Sequence, residues 1–174
     1  MNILYLHGLE SKLSPRKRLI LEQFYGNVHA PDLDYSVNPL QPEAILHALP
    51  DVEINVVMGS SMGALNAWYV SELLGRPALL FNPPLARYPY VEPATPYEAK
   101  YVKASSFKQI LLGGSDQVVD PKETLNFLSQ HLQQNELFIT IDPRLQHQIP
   151  IDHFEEQAEQ FFGRLCYDPP RHQK

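Results

Sequence analysis

The chain has 174 residues, the length of one ordinary domain, and at that size about 70% of the unfolded chain's surface can be buried around a single core. Apolar residues make up 44% and charged residues 20%, a balance that excludes a disordered tail, a fibrous repeat and a coiled coil. Fourteen basic against 20 acidic side chains leave a formal charge of −6, which repels a phosphate backbone and an anionic membrane surface alike, so neither nucleic acid nor membrane is expected as a partner.

In chain order, Ile3 to Leu6 reads as a first buried strand, running into His7-Gly8-Leu9. It has no basic flank and is too short for a secretory leader, and no later stretch approaches the ~18 apolar residues of a membrane span. Ser14-Pro15 opens a helix that ends at Gly26. Val28 to Ala30 and Ile54 to Met58 are the next strands. Directly after the second of these comes Gly59-Ser60-Ser61-Met62-Gly63, and then Gly63 to Leu74, apolar nearly all round and closed by Gly75, which predicts a helix buried against the sheet. Ala78 to Phe81 is a fourth strand. The stretch that follows holds Pro83, Pro84, Pro89, Pro93 and Pro96 with no clean period, and residues 82–107 are the candidate for a lid bordering a site. Ile110 to Leu112 is a fifth strand, Asp120-Pro121-Lys122-Glu123 opens a helix, and Leu137 to Ile141 is a sixth strand. Asp152-His153-Phe154-Glu155 opens the last helix with Asp152 as its N-cap, and residues 166–174 form a tail expected to fray. Short apolar strands alternating with helical segments predict one α/β domain over residues 1–174, with a mainly parallel sheet of about six strands, helices on both faces, and a site at the strands' carboxyl ends. The single cysteine, Cys166, excludes an internal disulfide and a thiolate metal site, and fits a cytoplasmic protein.

The chemistry concentrates at Gly59-Ser60-Ser61-Met62-Gly63, a G-x-S-x-G between a strand and a helix. Glycines two positions either side of a serine let the backbone turn sharply enough to present its hydroxyl above the sheet. A phosphate cradle is the other use of such a turn, but the G-K-[ST] ending of a P-loop is absent. A nucleophilic Ser61 needs donors for an oxyanion, and the N–H of Met62 together with that of Leu9 or Gly8 at the end of the first strand are placed to supply them. His7, beside them, either borders the substrate pocket or braces the loop. Asp116 lies just past the fifth strand with no local capping role, unlike Asp120, and is the expected acid. Of seven histidines, His147 and His153 fall after the last strand. His153 is the expected base, since a helix N-terminus favours neutral imidazole, and His147 is the alternative. Tyr88 and Tyr90, with Tyr97 and Tyr101, are candidates for an apolar acyl pocket.

Taken together, Leu4-Tyr5-Leu6-His7-Gly8, Gly59-Ser60-Ser61-Met62-Gly63, Phe81-Asn82-Pro83, Gly114-Ser115-Asp116 and His153-Phe154 resemble the α/β-hydrolase superfamily. Within it the resemblance is to the small YqiA-like esterases, which lack the first two strands of the full fold. It implies a minimal α/β-hydrolase fold and a cofactor-free, metal-free serine hydrolase of carboxylic esters or thioesters, acting on a small molecule through Ser61, Asp116 and His153. Two other functions are compatible with the same residues: acyl transfer by the same triad, and a binding module that keeps the fold without turnover. Oligomeric state is not read from the sequence.

Overall fold

A computed structural model describes residues 1–24, 27–90, 107–131 and 136–167. Its elements are β1 (Asn2–Leu6), α1 (Pro15–Phe24), β2 (Asn27–His29), α2 (Pro42–His47), β3 (Val56–Ser60), α3 (Met62–Leu74), β4 (Ala78–Phe81), β5 (Phe107–Gly113), α4 (Pro121–Ser129), β6 (Glu136–Asp142) and α5 (Ile151–Tyr167). The six strands form one sheet in the order β2-β1-β3-β4-β5-β6, and every pair is parallel.

Alternation along the strands divides the core into two layers. Leu4, Leu6, Val57, Leu80, Ile110 and Leu112 face α2, α3 and α4, with Ile45, Leu65, Trp68 and Leu128 packed against them. Ile3, Tyr5, Val56, Met58, Leu79, Phe81 and Leu111 face α1 and α5 across Ile20, Leu21, Phe154, Ala158 and Phe161. Helix α3 buries ten of its thirteen residues and ends on Gly75 in the left-handed region at φ 60°. It is the interior helix that its apolar sequence predicts.

Several strand boundaries shift from expectation by one to three residues, β3 running Val56–Ser60 and β5 Phe107–Gly113. Helix α1 is described to Phe24, so the expected stop at Gly26 lies outside the described residues. Helix α5 starts at Ile151, with the Phe154 N–H donating to the Pro150 carbonyl, so Asp152 belongs to the first turn and is not the cap. Asp120 does cap α4, accepting from the Lys122 N–H at 2.9 Å. Of the lid segment, residues 91–106 lie outside the described residues, as do Tyr97, Tyr101 and the tail from 168 onward. Among the described residues no helix is long and apolar enough to cross a membrane.

The strand order places the site. The chain runs from β1 out to β2 and returns to β3 on the other side of β1, so the loops after β1 and β3 leave the sheet in opposite senses and open a crevice between them. Gly8-Leu9 follows β1, and Ser61 follows β3.

Candidate active site

Ser61 sits at φ 53°, ψ −121°, a backbone state that a non-glycine residue adopts only when its surroundings force it. The forcing is steric. A Cβ on Gly59 would lie 2.4 Å from the Gly63 carbonyl oxygen, and one on Gly63 would lie 2.0 Å from the Leu6 oxygen and 2.4 Å from the His7 oxygen. Both glycines are therefore required for α3 to leave β3 so abruptly and press against the end of β1. The Ser61 N–H donates to the Phe81 carbonyl at 2.8 Å, anchoring the turn to β4.

The ring opposite Ser61 is that of His147. Its Nε2 lies 2.9 Å from Ser61 Oγ and its Nδ1 lies 2.7 Å from Asp116 Oδ2. A carboxylate accepts only, so Nδ1 carries the proton, and Nε2 is left to accept from the serine hydroxyl. Asp116 is buried, and its other oxygen accepts from the Val118 and Val119 N–H groups at 2.7 and 2.9 Å. The carboxylate is thus fixed from both sides before it meets the ring.

The expected base, His153, is elsewhere. Its Nε2 lies 3.7 Å from Asp142, on the first turn of α5. A helix that packs on the sheet face must start beside the strand ends, and this one turns its neighbouring residue, Phe154, inward to stack on Phe81 at 5.1 Å. Only a residue in the loop that precedes the helix can hang over the rim, and that residue is His147.

The same loop explains Gly113 and Gly114. A Cβ on Gly113 would lie 2.6 Å from the Gln146 oxygen, and one on Gly114 2.7 Å from Pro143 Cα. With no side chains in the way, the Gly114 and Ser115 N–H groups donate to the Asp142 and Leu145 carbonyls, stitching the Asp116 turn to the His147 loop. Asn82 completes the join, a role that sequence reasoning missed although Phe81-Asn82-Pro83 stood out as a pattern. It is buried at φ 48°, its Oδ1 accepts from the Gly113 N–H at 2.7 Å, and its Nδ2 donates to the Gln146 and His147 carbonyls at 3.2 and 2.9 Å. The signal available in the sequence was the residue type, an asparagine, which tolerates the left-handed region, set between a buried strand and Pro83-Pro84.

At the end of β1 the buried His7 does not border the cleft. Its Nδ1–H donates to the Gly8 carbonyl at 2.7 Å and its Nε2 accepts from the Leu33 N–H at 2.9 Å, so both ring nitrogens are used in bracing. The Gly8 carbonyl also accepts from Ser11, through its N–H and its hydroxyl. Because a trans peptide is planar, tying the Gly8 oxygen to this cluster directs the Leu9 N–H the opposite way. Gly8 itself comes close to Ser61, since a Cβ there would be 3.4 Å from Ser61 Cβ. Met62 opens α3, and the N–H groups of a helix's first turn have no partner within the helix.

These residues border a cleft of about 560 Å³ that Gly8, Leu9, Ser61, Met62, His147 and Tyr88 help to line. That volume suits a small organic ligand. Tyr90 is not among its walls: it stacks on Tyr69 of α3 with ring centroids 4.7 Å apart and hydrogen-bonds to Glu43, so its ring is committed to packing. Tyr5, behind the elbow, shares a 3.0 Å hydrogen bond with Ser60, and burial pushes its phenol above the usual range.

The fold is shared with solved hydrolases at low sequence identity. Maize (Zea mays) acyl-protein thioesterase 2 is 15% identical and superposes with a TM-score of 0.62 over 94% of this chain and 93% of its own. The fluorophosphonate-binding serine hydrolase F of Staphylococcus aureus is 14% identical, with a TM-score of 0.60 over 96% and 84%. Est1E from Butyrivibrio proteoclasticus is 12% identical, with a TM-score of 0.63 over 95% and 88%. No curated protein sequence matches the chain. The α/β-hydrolase architecture and the YqiA-like character expected from the motifs are thus both met. Residues 2–95, more than half of the chain and including the elbow, match the model of the Uncharacterised protein family (UPF0227), and the chain belongs to that family.

Proposed function

We propose that the protein is a serine hydrolase of carboxylic esters or thioesters, with Ser61 as nucleophile, His147 as general base and Asp116 as the residue that orients and stabilises the histidine. The observation that carries this reading is the unbroken hydrogen-bonded line from Ser61 Oγ through both nitrogens of His147 to a buried carboxylate, standing on a strained strand-to-helix turn. The names of the structural neighbours, a thioesterase and a serine hydrolase among them, support the reaction class.

In the proposed mechanism His147 Nε2 takes the Ser61 proton as Oγ attacks the acyl carbon, and the N–H groups of Met62 and Leu9 hold the oxyanion. The tetrahedral intermediate collapses as the imidazolium returns its proton to the departing alkoxide or thiolate, leaving Ser61 acylated. Water, deprotonated by the same ring, then attacks the acyl group, and the acid leaves as Oγ recovers its proton. Apart from the hydrolytic water, each step uses the chain's own residues. A cytoplasmic setting, inferred from the single cysteine, is part of the same proposal.

Labelling with a fluorophosphonate followed by peptide mapping tests it without knowledge of the substrate. A stoichiometric adduct on Ser61 is expected, absent in Ser61→Ala and strongly slowed in His147→Ala. A folded wild-type protein that takes no adduct would overturn the assignment.

A further inference from the structure

Resting on that hydrolase reading, we propose that the cleft selects an ester or thioester bearing a second, anionic oxygen group, a carboxylate or a phosphate, which is held by the ammonium of Lys17.

The cleft's charged lining is of one sign. Lys17 and Arg87 both border it, and among the described residues no aspartate or glutamate does, although acids outnumber bases 20 to 14 in the chain. The acid of the site, Asp116, is hidden behind His147 with its side chain fully buried. The two cations are not equivalent. Arg87 lies 3.5 Å from Glu123, so part of its charge is already answered. Lys17, on α1, is half-buried, and among the described residues no carboxylate reaches its Nζ.

The molecule contains its own control. Among the described residues Lys108 is the other lysine whose ammonium lies over an aromatic ring, 4.8 Å from the centroid of Trp68, and it also pairs with Glu72. Lys17 has the same arrangement over Phe154, again at 4.8 Å, without a carboxylate. A ring face attracts a cation but does not replace a counter-ion, and burial alone pushes the Lys17 amine below the usual lysine range. The position is tied to the reaction centre, since Phe154 stacks on Phe81, which lines the cleft and whose carbonyl holds the Ser61 N–H. A desolvated ammonium at the wall of a cleft with no carboxylate among its described lining residues is a place for a ligand's negative charge. Lysine, a compact point charge, accepts carboxylate and phosphate alike.

The test is competition against fluorophosphonate labelling of Ser61, using monomethyl glutarate and methyl 4-phosphonobutanoate as anionic competitors and dimethyl glutarate as the neutral one. In the wild type at least one anion is expected to halve the labelling rate at roughly a tenth of the concentration the diester needs, or less, the scale of one charge-assisted hydrogen bond. The advantage should persist in Lys17→Arg, vanish in Lys17→Met, and shrink in the wild type as KCl is raised, a measurement that needs no variant. Carboxylate and phosphonate are compared within the same series, so the preferred group is read directly. Labelling that proceeds with no advantage for either anion, or an advantage that survives Lys17→Met, overturns this inference alone. Absence of labelling in the wild type overturns the hydrolase reading and this inference with it.

Discussion

The turn that presents Ser61 and the loop that presents His147 serve one centre by opposite means. The turn is specified mainly by its own residues, two glycines with a β-strand before and a helix after within the stretch from 56 to 74, and its outside anchor is the Ser61 N–H on the Phe81 carbonyl. The loop's own ties are confined to its start, where Asp142 accepts from Arg144 and from the Leu145 N–H. It is held in place by Asn82 from β4's end and by the Gly113-Gly114 turn after β5, partners tens of residues away. A locally determined site is sensitive to substitutions inside the motif, whereas a site assembled by tertiary contacts is sensitive to residues that never touch the reacting atoms.

The largest test of this contrast is the pair of histidines. His147→Ala is expected to lower kcat by about 10³–10⁵-fold, while His153→Ala changes it less than about threefold; steady-state kinetics on an activated ester read both. Equal losses would put the base back on α5 and dissolve the distinction. Next comes Gly63→Ala, in which the new Cβ meets two backbone oxygens that cannot rotate away. It should cost about 3 kcal/mol, a fall in Tm on the order of 10 °C by calorimetry, with activity lost in proportion to misfolding. For the loop, Asn82→Ala removes three hydrogen bonds and places alanine at positive φ. A roughly tenfold or larger fall in kcat with KM little altered is expected, beyond what the loss of about 2–3 kcal/mol of stability explains, and a KM effect instead would show that Asn82 does not act through His147.

The smallest effect concerns the start of the loop. Arg144 beside Asp142, with its own N–H on the same carboxylate, draws the Asp142 pKa from 3.8 down to about 2. A depressed carboxylate pKa stabilises the fold above about pH 4, and that contribution disappears as pH falls towards 2. Asp142→Asn should therefore flatten the acid limb of the Tm–pH curve over that window and leave the curve above it displaced slightly downward. An unchanged acid limb would mean that the pair does not hold the loop.

The same contrast explains what was legible in the sequence. All six strands and the elbow were recognisable because each is encoded by neighbours: runs of Val, Ile and Leu, and glycines at fixed spacing about a serine. Asp116, which the structure sets against the His147 ring, stood out by elimination, having no cap to form. The ring that faces Ser61 did not, because Asp152-His153-Phe154-Glu155 looks like a helix start and His147 looks like any loop residue. What distinguishes them is where the first turn of α5 lies against Phe81, which no local pattern records. Tyr90 was misplaced, and His7 was left open between pocket and brace, for a related reason: a residue type suggests chemistry, but the Gly8 and Leu33 backbone groups and the Tyr69 ring decide what the side chain is free to do.

The parallel pairing of β4 with β5 has one more consequence. On one side of that seam stand the proposed nucleophile and both proposed oxyanion donors, all within residues 1–90; on the other stand the proposed acid and base, all within 107–167. Neither stretch carries a complete proton path. On the proposed mechanism, turnover would read out whether the two halves of the sheet are docked, and a chain nicked between Tyr90 and Phe107 would behave as a fragment-complementation reporter, silent when the pieces part and active when the seam closes.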